Sequence, residues 1–252
     1  MRFAVLGSGS QGNGTLVASA GTYVLVDCGF SLRETEKRLL RLGVHPAQLS
    51  AILVTHEHAD HVHGVGLLSR RYNLPVYLSR GTLEGLRKPI EPAGFVAGGE
   101  QLRIGSLDIS VVSVAHDARE PTQYVFSDGE RRFGLLTDLG SYCDRVMDSY
   151  RDLDALMIES NHCRDMLARG YYPYFLKQRV GGEHGHLNNH QAAFLVAELG
   201  WQGLQHLVLA HLSSKNNLPQ LARQCFVDTL GGDPDWLQLA DQDSGLDWRH
   251  IA

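Results

Sequence analysis

The chain has 252 residues, 43% hydrophobic and 20% charged, with a formal net charge of −5. That is enough length for a sizeable core, and no run of 18 apolar residues marks a membrane span. The acidic balance argues against an extended basic surface that grips nucleic acid non-specifically. Cys28, Cys143, Cys163 and Cys225 are scattered without a CxxC pair, which excludes a thiolate zinc ribbon and points to reduced thiols in a cytoplasmic protein.

The opening MRFAVLGSGS carries one Arg and a short apolar stretch, and reads as a first strand entering a turn rather than a secretory signal. A second strand follows the Gly/Ser/Asn turn, then the β-rich run TYVLVDCGF and a helix over SLRETEKRLLRLG. Ser31 and Glu34 have capping-box spacing, and Gly43 supplies the stop. AILVT is a buried strand, NLPVYLS another, and VHGVGLLSRRY between them has helical character. Residues 95–138 are mostly β, with Asp128-Gly129 among the turns. LDALMIES and LQHLVLAHLS are strands, with helices predicted over NNHQAAFLVAELG and NNLPQLARQCFVDTLGG. No linker, low-complexity run or solenoid repeat divides the chain. One domain over 1–252 is expected, ending in a weakly patterned acidic tail at about 233–252. The succession fits an α/β fold of two packed sheets with helices outside, a four-layer αββα sandwich. Periodicity alone does not select that architecture.

THEHADHVHG, residues 55–64, holds four histidines, a glutamate and an aspartate. His56, His58, Asp60 and His61 directly follow the strand AILVT, where a rigid element can aim alternating side chains at one point. H-x-H-x-D-H spacing can supply four ligands to two neighbouring cations; the alternative is a solvated polar loop. His116 ends ISVVSVAH, Asp138 ends FGLLTD and His211 ends HLVLAH. A single such residue is ordinarily a strand-end hydrogen bonder. Their recurrence at four strand ends points to a site along one edge of the sheets.

This order of residues resembles the metallo-β-lactamase-fold hydrolases. GSGSQGNGT, VDCGF, THEHADH, LTDLG, ESNH, GHLNN and AHLSSKNN are similar to the YycJ/WalJ branch, which is associated with 5′→3′ exonuclease action on DNA. The resemblance implies that His56, His58 and His116 hold one divalent cation, that Asp60, His61 and His211 hold a second, and that Asp138 bridges them. Imidazoles with carboxylates suit Zn, Mn or Fe. Asp27 matches a position that orients a ligand histidine, although a strand-end turn residue is an equal reading.

EHGHLNNHQAAFLVAELG resembles the corresponding segment of tRNase Z, which puts His186 beside the metals as a general acid. Glu159, at the end of LDALMIE, matches the carboxylate that holds this histidine. Asp60, His186 and Glu159 are therefore the expected catalytic groups. Ser8, Ser10 and Asn13 in the Gly-rich turn could cradle a phosphate, and Lys177 and Arg179 could meet phosphate oxygens. Tyr171, Tyr172, Tyr174 and Phe175 could stack on unpaired bases, or form helix core or a dimer surface.

The implied activity is that of a dinuclear metal-dependent phosphodiesterase, an exonuclease working at a DNA chain end. The acidic charge favours a hydrolase of a small or cyclic phosphodiester as the alternative. A di-metal oxidoreductase would call for a flavin-binding domain, for which 252 residues leave no room.

Overall fold

The computed structural model describes residues 1–252. The first part of the chain forms β1 (Arg2–Gly7), β2 (Gly14–Ser19), β3 (Thr22–Val26), β4 (Ala51–Leu53), β5 (Val76–Leu78) and β6 (Gly94–Phe95). It also forms helices α1 (Leu32–Arg41), α2 (Ala59–Val62), α3 (Val65–Tyr72) and α4 (Arg80–Gly85). The second part forms β7 (Gln101–Ile104), β8 (Leu107–Ser113), β9 (Thr122–Ser127), β10 (Arg132–Leu136), β11 (Ala155–Glu159) and β12 (His206–Ala210). Its helices are α5 (Asp144–Ser149), α6 (Arg164–Arg169), α7 (Tyr174–Val180), α8 (Asn189–Leu199) and α9 (Pro219–Leu230). Strands β13 (Leu237–Leu239) and β14 (Leu246–His250) come last.

Two seven-stranded sheets result, ordered β14-β1-β2-β3-β4-β5-β6 and β13-β12-β11-β10-β9-β8-β7. Three apolar layers then make the expected αββα sandwich. Between the sheets, Phe3, Val5, Val17 and Val24 meet Tyr124, Phe126 and Phe133, with the Phe3 and Phe133 rings stacked at 4.3 Å. Outside the first sheet, Ala4, Leu6, Leu25 and Ile52 pack under Leu39 of α1 and Leu68 of α3. Outside the second, Ile158, Leu207 and Leu209 pack under Leu195 of α8 and Phe226 of α9. Sheets covered on both faces need strands apolar on both faces. For that reason FAVLG and ALMIE read as continuous buried runs rather than as alternation.

Local chemistry sets the helix ends. Ser31 Oγ accepts the Glu34 N–H at 3.4 Å, and Gly43 adopts φ +73° just past α1. The reciprocal half of the expected capping box is absent, because the Glu34 carboxylate pairs with Arg38 at 2.8 Å. At α8, Asn188 and Gln191 do close a full box.

The C-terminal tail departs from its weak patterning. It supplies β13 beside β12 and β14 beside β1, one strand for each sheet. Trp248 secures it, donating from Nε1 to Leu42 O at 2.9 Å under the Arg2 guanidinium.

Strand direction decides where polar side chains gather. β3 and β4 run parallel with Val26 opposite Leu53, so Asp27 emerges beside Thr55 and His56. β10, β11 and β12 are also parallel, with Leu136 opposite Ile158 and Glu159 opposite Ala210. Their carboxyl ends therefore deliver Asp138, Glu159 and His211 side by side. Ligands of open α/β sheets characteristically bind beyond the carboxyl ends of parallel strands.

Candidate active site

Six non-glycine residues have φ between +43° and +61°, and three of them are Asp27 (+61°), Asp138 (+55°) and His211 (+51°). Left-handed backbone is costly for such residues and persists where the surroundings enforce it. Here it turns the chain sharply off β3, β10 and β12, so that Asp138 and His211 swing into one cleft and Asp27 lies behind it against Thr55 and His61. Gly29 of VDCGF allows the first of these turns to pack, since a Cβ there would collide with the Asp60 carbonyl.

The imidazoles fall into two groups. His58 Nδ1 lies 2.9 Å from His56 Nε2 and 3.3 Å from His116 Nε2. Ligand atoms about 2.0–2.1 Å from a tetrahedral zinc are separated by about 3.3 Å, so this nitrogen triangle has the dimensions of a metal face. In the second group, Asp60 Oδ2 lies 3.5 Å from His61 Nε2 and 3.7 Å from His211 Nε2. Asp138 stands between the groups. Its Oδ2 is 3.5 Å from His61 Nε2, while its Oδ1 is 3.5 Å from His211 Nε2 and 4.0 Å from His116 Nε2.

The donor atoms of His56, His58 and His116, and those of Asp60, His61 and His211, lie within 4.8 Å of one another in each set. Asp138 Oδ2 and His211 Nε2 are buried without a hydrogen-bond partner. Such orphaned atoms are expensive, and cations in the two groups would satisfy them. The donor set thus fits two divalent ions.

Electrostatics agrees. Burial favours a neutral Asp138, but His211, His61 and His56 outweigh it and hold this carboxyl well below its usual range. Burial likewise opposes a charged His211, yet Asp138, Asp60 and Glu159 push it up to about 10. Burial and neighbouring imidazoles keep His56 low, and burial does the same for His116, so both present lone pairs. The cleft gathers the carboxylates of Asp60 and Asp138 beside these imidazoles, a donor set suited to cations.

Hydrogen bonds fix which nitrogen of each ring faces inward. Asp27 Oδ2 lies 2.8 Å from His61 Nδ1 and also accepts the Thr55 hydroxyl at 2.8 Å, while Oδ1 accepts the Thr55 N–H. This leaves His61 Nε2 for the centre, the orienting arrangement matched to Asp27 in the sequence. The same holds for His116, whose Nδ1 lies 3.1 Å from Gly185 O.

Glu159, fully buried, lies with Oε2 3.0 Å from His186 Nδ1. His186, half-buried beside His116 and His211, lines a cavity of about 210 Å³ with His58, Asp60, Asp138, His211 and Arg179.

The phosphate contacts expected from the sequence divide. Ser10 lines the cavity. Ser8 and Asn13 are buried braces instead: Ser8 Oγ accepts the His211 N–H at 2.9 Å, and Asn13 Nδ2 reaches Asp60 Oδ2 at 3.3 Å and His61 Nε2 at 3.1 Å. Arg179 stands at the cavity rim in an ion pair with Asp117. Lys177 turns away, donating to Ala168 O and lining a separate cavity. Two further residues, to which the sequence motifs assign no role, join the site. Asp117 Oδ1 approaches His116 Nε2 at 3.3 Å, and Asn161 Nδ2 donates to His211 O at 2.9 Å. Their only signal was adjacency, Asp117 following His116 and Asn161 lying inside ESNH.

The family described as beta-lactamase superfamily domain matches residues 22–212. The chain is 36% identical to exodeoxyribonuclease YycJ of Bacillus anthracis, over 91% of this chain and 89% of that protein. It is 33% identical to exodeoxyribonuclease WalJ of Streptococcus pneumoniae D39, over 98% and 92%. Among solved structures, the metallo-beta-lactamase fold protein YhfI of Bacillus subtilis superposes with a TM-score of 0.75 at 20% identity, covering 99% of each chain.

Proposed function

The chain belongs to the beta-lactamase superfamily, whose related members are metal-dependent hydrolases, and from that membership we propose an exonuclease that hydrolyses phosphodiester bonds at a DNA chain end. The observation that carries the reading is the Glu159–His186 pair. In this reading the pair is a proton donor that stands beside the groups His56/His58/His116 and Asp60/His61/His211 and is a member of neither.

In this reading His56, His58 and His116 hold one divalent ion, Asp60, His61 and His211 hold the other, and Asp138 lies between. Bound there, the two ions supply Lewis acidity that polarises the phosphoryl group and acidifies the attacking water. Zinc suits the imidazole-rich set, with manganese or iron as the other fits. The chain's own residues do the remainder. Asp60 and Asp138 keep ionised oxygens in the cleft, where they orient water for in-line attack. His186, with Nδ1–H donated to Glu159 Oε2, holds a proton on Nε2. As the P–O bond breaks, that proton passes to the leaving alkoxide. Glu159 is a positioning residue: it accepts the Nδ1–H and so fixes the orientation of the ring.

The experiment is a cleavage panel on the purified protein loaded with Zn, Mn or Fe. It comprises DNA and RNA labelled at either end, cyclic nucleotides and bis-p-nitrophenyl phosphate. Successive mononucleotide release from DNA is the expected result, and loss of a 5′ label first would bear out the 5′→3′ direction. A small cavity in an acidic chain also suits a small diester. Cleavage of cyclic nucleotides with DNA left intact would establish that function instead.

A further inference from the structure

The turn between α6 and α7 and the first residues of α7 carry three large side chains that the fold does not use. Tyr171 is 107% exposed, Tyr174 78% and Phe175 72%, and α7 buries none of its residues. Aromatic surface concentrated in five residues is a mark of a binding face rather than chance exposure.

Helical periodicity divides the segment into two flanks. Tyr172, Leu176 and Arg179 line the metal cleft. Tyr174, Lys177 and Gln178 line a neighbouring open cavity of about 550 Å³, whose walls include His162, Arg164 and Asn188. The segment is therefore a ridge between the two hollows, with Tyr171 and Phe175 left free of both. His162 is buried, and its Nδ1 has no hydrogen-bond partner. Buried polar atoms are rarely left so. The charge is also local: residues 164–180 hold Arg164, Arg169, Lys177 and Arg179 and a single acid, Asp165, in a chain whose net charge is −5.

We propose that this ridge binds the unpaired strand of a nucleic-acid substrate, with bases on Tyr171, Tyr174 and Phe175 and phosphates on Arg164, Lys177 and Arg179. The proposal rests on the exonuclease reading and says which form of DNA reaches the metals. Bases in a duplex already stack on one another, so exposed rings select bases that have lost their neighbours. Lys177 Nζ gives one of its three N–H donors to Ala168 O and retains two for phosphate. Arg179 sits where a strand leaving the ridge enters the metal cleft, and a phosphate there competes with Asp117 for its guanidinium. The surplus of cations disfavours a second copy of the chain on this face.

The test compares wild-type protein with Tyr171→Ala/Tyr174→Ala/Phe175→Ala, three exposed positions whose truncation leaves the core intact, checked by circular dichroism. The ligands are a phosphorothioate-linked oligothymidylate and an abasic oligomer of the same length. The triple variant should lose oligothymidylate affinity on the order of 10- to 100-fold and raise KM for single-stranded DNA in parallel, with little change for the abasic oligomer. Arg164→Gln/Lys177→Gln should weaken both ligands and flatten the salt dependence. A triple variant that binds oligothymidylate as wild type does, while DNA digestion continues, would overturn the ridge and leave the nuclease reading standing. Wild-type protein that cleaves bis-p-nitrophenyl phosphate but neither binds nor digests oligonucleotides would overturn both. A dimer in sedimentation that the triple variant dissolves, with oligonucleotide binding intact, would give the face to self-association.

Discussion

Glu159 Oε2 lies 3.0 Å from His186 Nδ1, and the same carboxylate accepts the backbone N–H groups of Asp138, Leu139 and Leu187. Both oxygens are occupied, each by two donors, and the donors come from two separate loops of the site. Burial pushes the Glu159 carboxyl up, but the charge and hydrogen bond of His186 outweigh it and hold it at about 2. Glu159 thus ties the loop that carries Asp138 to the loop that carries His186.

Glu159→Gln tests that tie. The amide has one accepting oxygen, so at least one buried N–H donor must face another N–H. His186 can adjust by changing tautomer; the Asp138 N–H cannot. A stability loss of about 1–3 kcal/mol is expected, together with a fall in kcat, measured by urea denaturation and steady-state kinetics on the same preparation. An unchanged urea midpoint would confine Glu159 to its effect on the imidazole.

Asp138→Ala removes the one carboxylate that approaches both imidazole groups. Metal content per chain, measured by elemental analysis, should fall for both sites along with activity. Two metals retained would take Asp138 out of the bridging position. His116→Ala is the contrasting case, because His116 shares a triangle with His56 and His58 and is not among Asp60, His61 and His211, so it should deplete the first site preferentially.

Asp27→Asn leaves the volume unchanged but alters what His61 meets. The carboxylate that receives His61 Nδ1 also accepts both the hydroxyl and the N–H of Thr55. An amide nitrogen turned to His61 would draw its lone pair to Nδ1 and place the proton on Nε2, the atom aimed at Asp60 and Asp138. A 10- to 100-fold loss of metal affinity is expected, the usual scale for an orienting partner, read by competition with a chromogenic chelator. Affinity equal to wild type would reduce Asp27 to a strand-end brace for Thr55.

Four of the candidate ligands are legible in the sequence because each follows a strongly apolar strand, a pattern contained within a few consecutive residues. His56, His116, Asp138 and His211 share that local signature; parallel pairing brings Asp138 and His211 side by side, while His116 arrives from the antiparallel β8. Ser8 and Asn13 misled for the opposite reason. A Gly/Ser/Asn turn looks alike whether its side chains face a ligand or brace the wall behind it, and only the approach of His211 and Asp60 decides. Asn161 owes its role to His211, distant in sequence, and Asp117 joins its neighbour His116 to the distant Arg179. β13 and β14 are three and five residues long. Segments this short become strands through the edges they meet rather than through their own pattern. α7 buries no side chain, so it had no amphipathic period to read.

His186→Ala separates phosphodiester chemistry from a generic metal hydrolase. The His186 ring belongs to neither the His56/His58/His116 triangle nor the Asp60/His61/His211 group, so both metals should remain at wild-type stoichiometry. Its loss deprives the leaving alkoxide of a proton, and turnover on DNA should fall roughly 10²–10⁴-fold, the range for a positioned general acid. A p-nitrophenolate departs without protonation, so the loss on bis-p-nitrophenyl phosphate should be much smaller. Glu159→Gln should repeat this leaving-group pattern more weakly, superimposed on its cost in stability. Equal losses on good and poor leaving groups would mean that His186 binds substrate or shapes the start of α8. The proton would then have to reach the alkoxide from water, and the Glu159–His186 pair would be a structural clasp.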